Sequence, residues 1–160
     1  MSLLSKMLSR GGIYVGVNAK EKEESIDEIL AYFCEEGKYT KSHKAKIKLA
    51  VMEREITGST GIGNAGAIPH CRIGKDDTVE LYIGVATDLI EFQSIDAKPV
   101  KVIFLVIQPK LTTSRHGESL KGVAGLMRND RFFRYLKGAK TKEEVLETIT
   151  DYEKELKDSK

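Results

Sequence analysis

A chain of 160 residues, 41% of them hydrophobic, is long enough to bury one continuous core, so a single domain over residues 1–160 is expected. Its 26 basic and 24 acidic side chains nearly cancel and form no long block of one sign, which argues against nucleic acid as a partner and against a charged disordered tail. Met1 to Arg10 lacks the apolar run of a signal peptide, no window approaches the roughly 18 apolar residues of a membrane span, and Cys34 and Cys71 match neither a disulfide framework nor a metal-ligand spacing, so a cytoplasmic protein with free thiols and no direct membrane insertion follows.

In chain order, Ile13 to Val17 alternates and is β-branched, which predicts a first strand led by Gly11 and Gly12. A helix follows, with Ser25 and Glu28 spaced as a capping box, Ile26, Ile29, Leu30 and Phe33 on one face, and Gly37 as its stop. A second helix starts near Thr40 or Ser42, buries Ile47, Ala50 and Val51, and carries Arg54 in its last turns before Gly58. Ser59 to Gly66 is too glycine-rich to be helical, and Ala67-Ile68-Pro69 reads as a strand or its edge, so His70 sits at the exit of a strand or loop.

After a charged turn at Gly74 to Asp77, Val79, Leu81, Ile83 and Val85 alternate with Glu80, Tyr82 and Gly84, as a strand with one buried face does. Val100 to Ile107 is apolar nearly throughout, which predicts a central strand covered on both faces. A polar loop from Pro109 to Arg115 leads to a helix from Glu118 to Arg128 with Leu120, Val123, Ala124, Leu126 and Met127 inward. A short amphipathic piece bears Phe132, Phe133 and Leu136. The last helix opens on a capping box from Thr141 to Glu144 and lines up Val145, Ile149, Tyr152 and Leu156. Helices before, between and after strands give a layered α/β domain.

The chemistry concentrates between Arg54 and His70. Gly61-Ile62-Gly63-Asn64-Ala65-Gly66 has the letters of a dinucleotide fingerprint, but that motif needs a strand before the glycines and a helix after them, and here the order is reversed. No Gly-Lys-Ser/Thr ending is present to make a nucleotide phosphate loop. What the segment does offer suits a phosphoryl group. Arg54 brings a fork of donors, Ser59 and Thr60 bring hydroxyls, Gly61 and Gly63 bring backbone N–H groups of a turn, and Pro69 fixes the backbone before His70. Taken singly, each has a plain structural use; together they surround an imidazole that is largely neutral near pH 7 and therefore nucleophilic.

The other candidates are weaker. His43 lies among lysines and is expected to be exposed, whereas His116 stands before the helix that follows the central strand, where it is able to orient or polarise what His70 carries. Three histidines without Asp or Glu at ligand spacing imply no metal site. Cys71 is next to His70, but neighbours on a strand point to opposite faces, so a Cys/His dyad is not expected.

With these residues assembled, the sequence resembles the enzyme IIA domain of the bacterial phosphotransferase system, in the fructose, mannitol and nitrogen-regulatory class. Arg54-Glu55, Ser59-Thr60-Gly61-Ile62-Gly63 and Ala67-Ile68-Pro69-His70 are similar to its signature, and the likeness continues through Pro99-Val100, Pro109 and the helix from Leu120 to Leu126. The resemblance implies a mixed β-sheet flanked by helices on both sides, a three-layer sandwich. It also implies that His70 is the phosphoryl acceptor, with Arg54 beside it and Thr60 in the active-site loop. Phospho-HPr would be the donor and a IIB domain the recipient, with no cofactor. The alternative within the same family is a stand-alone regulatory protein whose phosphorylation state controls binding to a target. A third reading, a structural module, requires that His70 cannot be phosphorylated. The family's second active-site histidine, which is followed by leucine, aligns with Ser119 when the Leu120 helix is the anchor and with His116 when Pro109 is; His116 is preferred because it alone offers an imidazole.

Overall fold

The computed structural model describes residues 2–74, 77–111 and 114–159, with the backbone alone at residue 62 and at residues 114–116. Its elements in chain order are α1 (Leu3–Arg10), β1 (Gly12–Val17), α2 (Lys22–Glu35), α3 (Lys41–Ile56), β2 (Gly61–Gly63), β3 (Gly66–Ala67), β4 (His70–Gly74), β5 (Glu80–Ile90), β6 (Val100–Pro109), α4 (Ser114–Arg128), α5 (Asp130–Lys137) and α6 (Lys142–Asp158). The sheet is mixed and runs β1-β5-β6-β3-β2, with β4 also paired to β6. Among the described residues, the β5–β6 and β2–β3 pairs are antiparallel and the others parallel.

The run at Val100 is the central strand, as its composition predicts, and both of its faces are covered. Val102, Phe104 and Val106 meet α1, α4, α5 and α6 in one apolar cluster, whereas Ile103, Leu105 and Ile107 meet α2 and α3 in the other. Side chains alternate across a strand, so one nearly unbroken apolar run feeds two cores and makes three layers. Among the described residues no helix is long and apolar enough to cross a membrane.

Strands β3 and β4 lie on the same edge of β6 in a single register, with Ala67 opposite Ile103 and His70 opposite Val106. They are one strand interrupted at Ile68-Pro69. Proline has no N–H to give to a ladder, yet its carbonyl still accepts from Val106 N–H at 3.0 Å. The interruption frees the Ile68 peptide for other partners while His70 stays anchored to the centre of the sheet.

Several sequence expectations are corrected. Helix α1 was not foreseen, although Leu4, Met7 and Leu8 have helical spacing and are buried. Ser25 does not cap α2: the helix starts three residues earlier, Ser25 donates to the Lys22 carbonyl, and the Glu28 carboxylate instead accepts from the Asn18 and Ala19 N–H groups and from the Tyr14 hydroxyl. Thr40 does cap α3, and Thr141 caps α6 by accepting from Glu144 N–H.

Strand β5 is longer than expected and buried on both faces. Tyr82 packs against Phe33 and gives its hydroxyl to Glu80, and the Ile29 side chain closes over Gly84 so tightly that a Cβ there would lie 2.6 Å from it. Helix α4 begins at Ser114 rather than Glu118, Leu156 is exposed, and His43 is half-buried near Tyr39 rather than exposed. The charged turn after Gly74 includes residues 75 and 76, and the loop after Pro109 includes residues 112 and 113; these four lie outside the described residues.

Candidate functional site

The last turn of α3, the segment that follows it, the start of β4 and one face of α4 form an open cavity of about 280 Å³ lined by Arg54, Ser59, Thr60, Ile68, His70, Leu120, Lys121 and Ala124. The sheet register explains the meeting. His70 sits opposite Val106, whose side chain belongs to the core beneath α4, so the imidazole is on the α4 side of the sheet.

The half-buried His70 ring has its Nδ1 2.7 Å from the Ile68 carbonyl oxygen. A carbonyl only accepts, so Nδ1 is the protonated nitrogen of the neutral ring and donates to it. The lone pair is then on Nε2. Burial lowers the pKa of His70 from 6.5, and the nearby Arg54 and Arg72 cations lower it further, against the opposing effects of the Ile68 hydrogen bond and the Glu55 charge. The arrangement thus holds a neutral ring with a defined nucleophilic atom.

Arg54 reaches back over the end of α3, where one terminal nitrogen (Nη1) donates to the Thr57 hydroxyl at 3.1 Å and the Gly58 carbonyl at 2.9 Å. Among the described residues its other N–H groups meet no acceptor, so the fork is positioned with capacity to spare. Ser59 Oγ accepts from Gly61 N–H at 3.1 Å and keeps its own proton available. Thr60 is buried, and its hydroxyl and N–H both donate to the Glu55 carboxylate. Its hydroxyl is therefore committed to the loop rather than to the cavity.

Gly61 and Gly63 are not brought to His70. They form β2 of a tight hairpin with β3, turned through Asn64 and Ala65, both at positive φ. Gly61 N–H is used by Ser59, its carbonyl accepts from Ile95 N–H, and a Cβ on Gly61 would lie 2.4 Å from Ser94 Oγ. Gly63 lines a separate cavity with Asn64, Ala124, Met127 and Arg128. Gly61 lets β2 pack closely against Ser94, and Gly63 supplies a positive φ in the hairpin.

His116 falls in the first turn of α4, and its side chain lies outside the described residues. Ser119 is buried at 1% exposure, with Oγ 3.4 Å from Gln108 Nε2 at the end of β6. Lys121, absent from the sequence expectations, is an exposed cation on the cavity wall. Its spacing of one residue after Leu120 carried no chemical signal, because a lysine on an amphipathic helix reads as solvated surface. Among the described residues no three His, Cys, Asp or Glu side chains are close enough to hold a metal ion.

Cys71 points away from this cavity into the α2/α3 core, and burial pushes its thiol up to about 12. At pH 8 such a thiol stays protonated and unreactive. Alkylation of the native protein at pH 8, followed by peptide mass analysis, is therefore expected to label the half-buried Cys34 and to spare Cys71 until denaturant is added.

The family described as "Phosphoenolpyruvate-dependent sugar phosphotransferase system, EIIA 2" matches residues 6–152. The chain is 38% identical over 106 residues to the nitrogen regulatory protein of Escherichia coli K12, a match covering 65% of this chain and 64% of that protein. It is 25% identical over 151 residues to the fructose-specific EIIABC component of Bacillus subtilis, covering 94% of this chain but only 24% of that longer protein. The crystal structure of the nitrogen regulatory protein IIA-Ntr from Neisseria meningitidis superposes with a TM-score of 0.77 at 26% identity, covering 92% of this chain and 99% of that one. Family match, relatives and fold agree, and the chain belongs to the EIIA 2 family of the phosphoenolpyruvate-dependent sugar phosphotransferase system, whose members are phosphotransfer components.

Proposed function

We propose that His70 Nε2 accepts a phosphoryl group from phospho-HPr and passes it to a IIB component. The observation that carries this reading is the 2.7 Å contact from Nδ1 to the Ile68 carbonyl, which leaves the lone pair on Nε2 in a cavity that also holds Arg54. In the transfer that lone pair attacks phosphorus, the donor's N–P bond breaks, and its electron pair returns to the donor imidazole. No proton has to move, because Nδ1–H stays on Ile68. The Arg54 fork and the Ser59 hydroxyl donate to the peripheral oxygens, where negative charge gathers during transfer. Phosphoenolpyruvate, enzyme I and HPr are expected to add one acid-labile phosphoryl group, read by intact mass. A native protein that stays unlabelled with a competent HPr refutes the reading.

On α4, His116 is proposed as the second active-site residue and Lys121 as a further cation for the phosphoryl oxygens, while Ser119 is assigned to the core because it is buried against Gln108. His116→Ala and Lys121→Met are each expected to slow acceptance by about ten- to a hundredfold, the scale of one charged hydrogen bond. Ser119→Ala is expected to alter melting more than rate. Stopped-flow transfer from phospho-HPr, set beside thermal melts, separates the two roles.

A second reading, regulation of a target by the phosphorylation state of His70, draws on the 38% identity to a nitrogen regulatory protein. Onward transfer of the label to a IIB cysteine favours transport; a stable label that changes affinity for another protein favours regulation.

A further inference from the structure

The chain holds a buried ion pair beside the site. Lys22 Nζ lies 3.0 Å from Glu55 Oε2, with the two side chains 13% and 2% exposed, and the Lys22 ammonium is also 5.0 Å from the centre of the Phe92 ring. Removing two charges from water is costly, and a pair this deep is weak evidence for stability by itself. Its placement indicates a different use. Glu55 accepts from both the hydroxyl and the N–H of Thr60. The Thr60 carbonyl accepts from Ile68 N–H at 3.1 Å, and the Ile68 carbonyl accepts from His70 Nδ1–H at 2.7 Å.

We infer that Lys22 and Glu55 are positioning residues that act through Thr60 and the Ile68 peptide to hold His70 in its Nδ1–H form. The inference rests on His70 Nε2 being the phosphoryl acceptor. The Ile68 peptide lies in the gap between β3 and β4, where Pro69 interrupts the strand, so its orientation is set by Thr60 on one side and His70 on the other. Without the carboxylate, Thr60 loses the acceptor for two donors, and the carbonyl that fixes the ring loses its brace. Lys22, in the first turn of α2, holds the carboxylate in place. One ion pair and three hydrogen-bonded steps thus link the start of α2 to the nucleophile, and of the residues in that chain only Thr60, Ile68 and His70 line the cavity. A tautomer held this way exposes Nε2 for attack in every molecule rather than in a fraction of them.

The test reads the tautomer directly, by long-range proton–nitrogen NMR of the His70 ring at a pH above its titration, together with the phosphoryl transfer rate. Glu55→Gln, which keeps one carbonyl acceptor, is expected to show a mixed tautomer signal and a kcat about tenfold lower with little change in KM for phospho-HPr. The paired replacement Lys22→Met with Glu55→Leu, which removes both charges together, is expected to lose the single Nδ1–H signature and a further severalfold in kcat. Lys48→Met supplies the control: it breaks the Lys48 contacts with Glu23 and Asp27, also between α2 and α3 but away from the site, and is expected to match the wild type in both readouts. A wild-type nitrogen pattern and rate in folded Glu55→Gln overturns the inference, whether or not the paired variant folds. A single Nδ1–H signal in a wild-type protein that never takes up phosphate instead overturns the acceptor reading, so the two failures are distinguishable.

Discussion

His70→Gln is expected to abolish phosphoryl uptake, with no acid-labile mass increment after prolonged incubation with phosphoenolpyruvate, enzyme I and HPr, while the melting temperature changes little. Glutamine keeps an amide able to donate to the Ile68 carbonyl, so the brace at the β3–β4 interruption survives, but it offers no nitrogen lone pair for phosphorus. Retention of the label in this variant would mean that another nucleophile is used. Cys71 is a poor candidate, being turned into the opposite core with its thiol protonated. On the proposed reading the same chemistry sets the pH profile of the wild type. The acceptor must be the neutral ring, and burial lowers its pKa from 6.5, so the acceptance rate is expected to stay level down through pH 6.5 and to fall only at lower pH. The stability consequence has the same direction. The unfolded chain binds a proton at its ordinary pKa before the folded chain does, so the His70 contribution declines as pH drops from about 6.5 towards the folded value and levels off below it.

The layers of the fold were legible because their periodicities are long. The run from Val100 to Ile107, apolar except for Lys101, names a central strand without help, and Ile26, Ile29, Leu30 and Phe33 name the buried face of α2. The eight-residue α1 carries only two turns of pattern, too little to stand out from a polar terminus, and docks because Glu153 of α6 accepts from the Leu4 and Ser5 N–H groups at its start. The alternation in β5 suggested a solvated face because neither a tyrosine nor a glycine reads as core; Tyr82 and Gly84 become core through Phe33 and Ile29, partners that sequence spacing does not supply.

At the site the difference is sharper. Arg54, Ser59, Thr60 and His70 are close in sequence and converge, and the cavity holds all four. Lys121 arrives from a helix more than fifty residues away. The glycines matched a phosphate turn by composition, yet the Gly61 N–H and carbonyl are taken by Ser59 and Ile95, and Gly63 sits in the β2–β3 hairpin. Composition reports which groups are present, and register decides which of them face one another.

Phe104→Ala is expected to destabilise the protein by about 3–5 kcal/mol, lowering the melting temperature by roughly 10 °C for a domain of this size. Phe104 is 0% exposed on the central strand, opposite Ile83 and 6.1 Å from the centre of the Phe133 ring, so truncation leaves a void between the sheet and α5 with no water to fill it. Ile56, equally apolar but 83% exposed at the end of α3, is the matched control, and Ile56→Ala is expected to stay within about 0.5 kcal/mol of the wild type. The two variants also separate scaffold from chemistry. Phe104 is two residues before Val106, the partner of His70 in the ladder, but its own side chain does not reach the cavity. Well below its melting temperature Phe104→Ala is therefore expected to accept phosphate at close to the wild-type rate. A melting shift under 3 °C would show that β6 is not the centre of the cooperative unit. A large rate loss in fully folded protein would show instead that the register of His70 depends on the packing beneath α5.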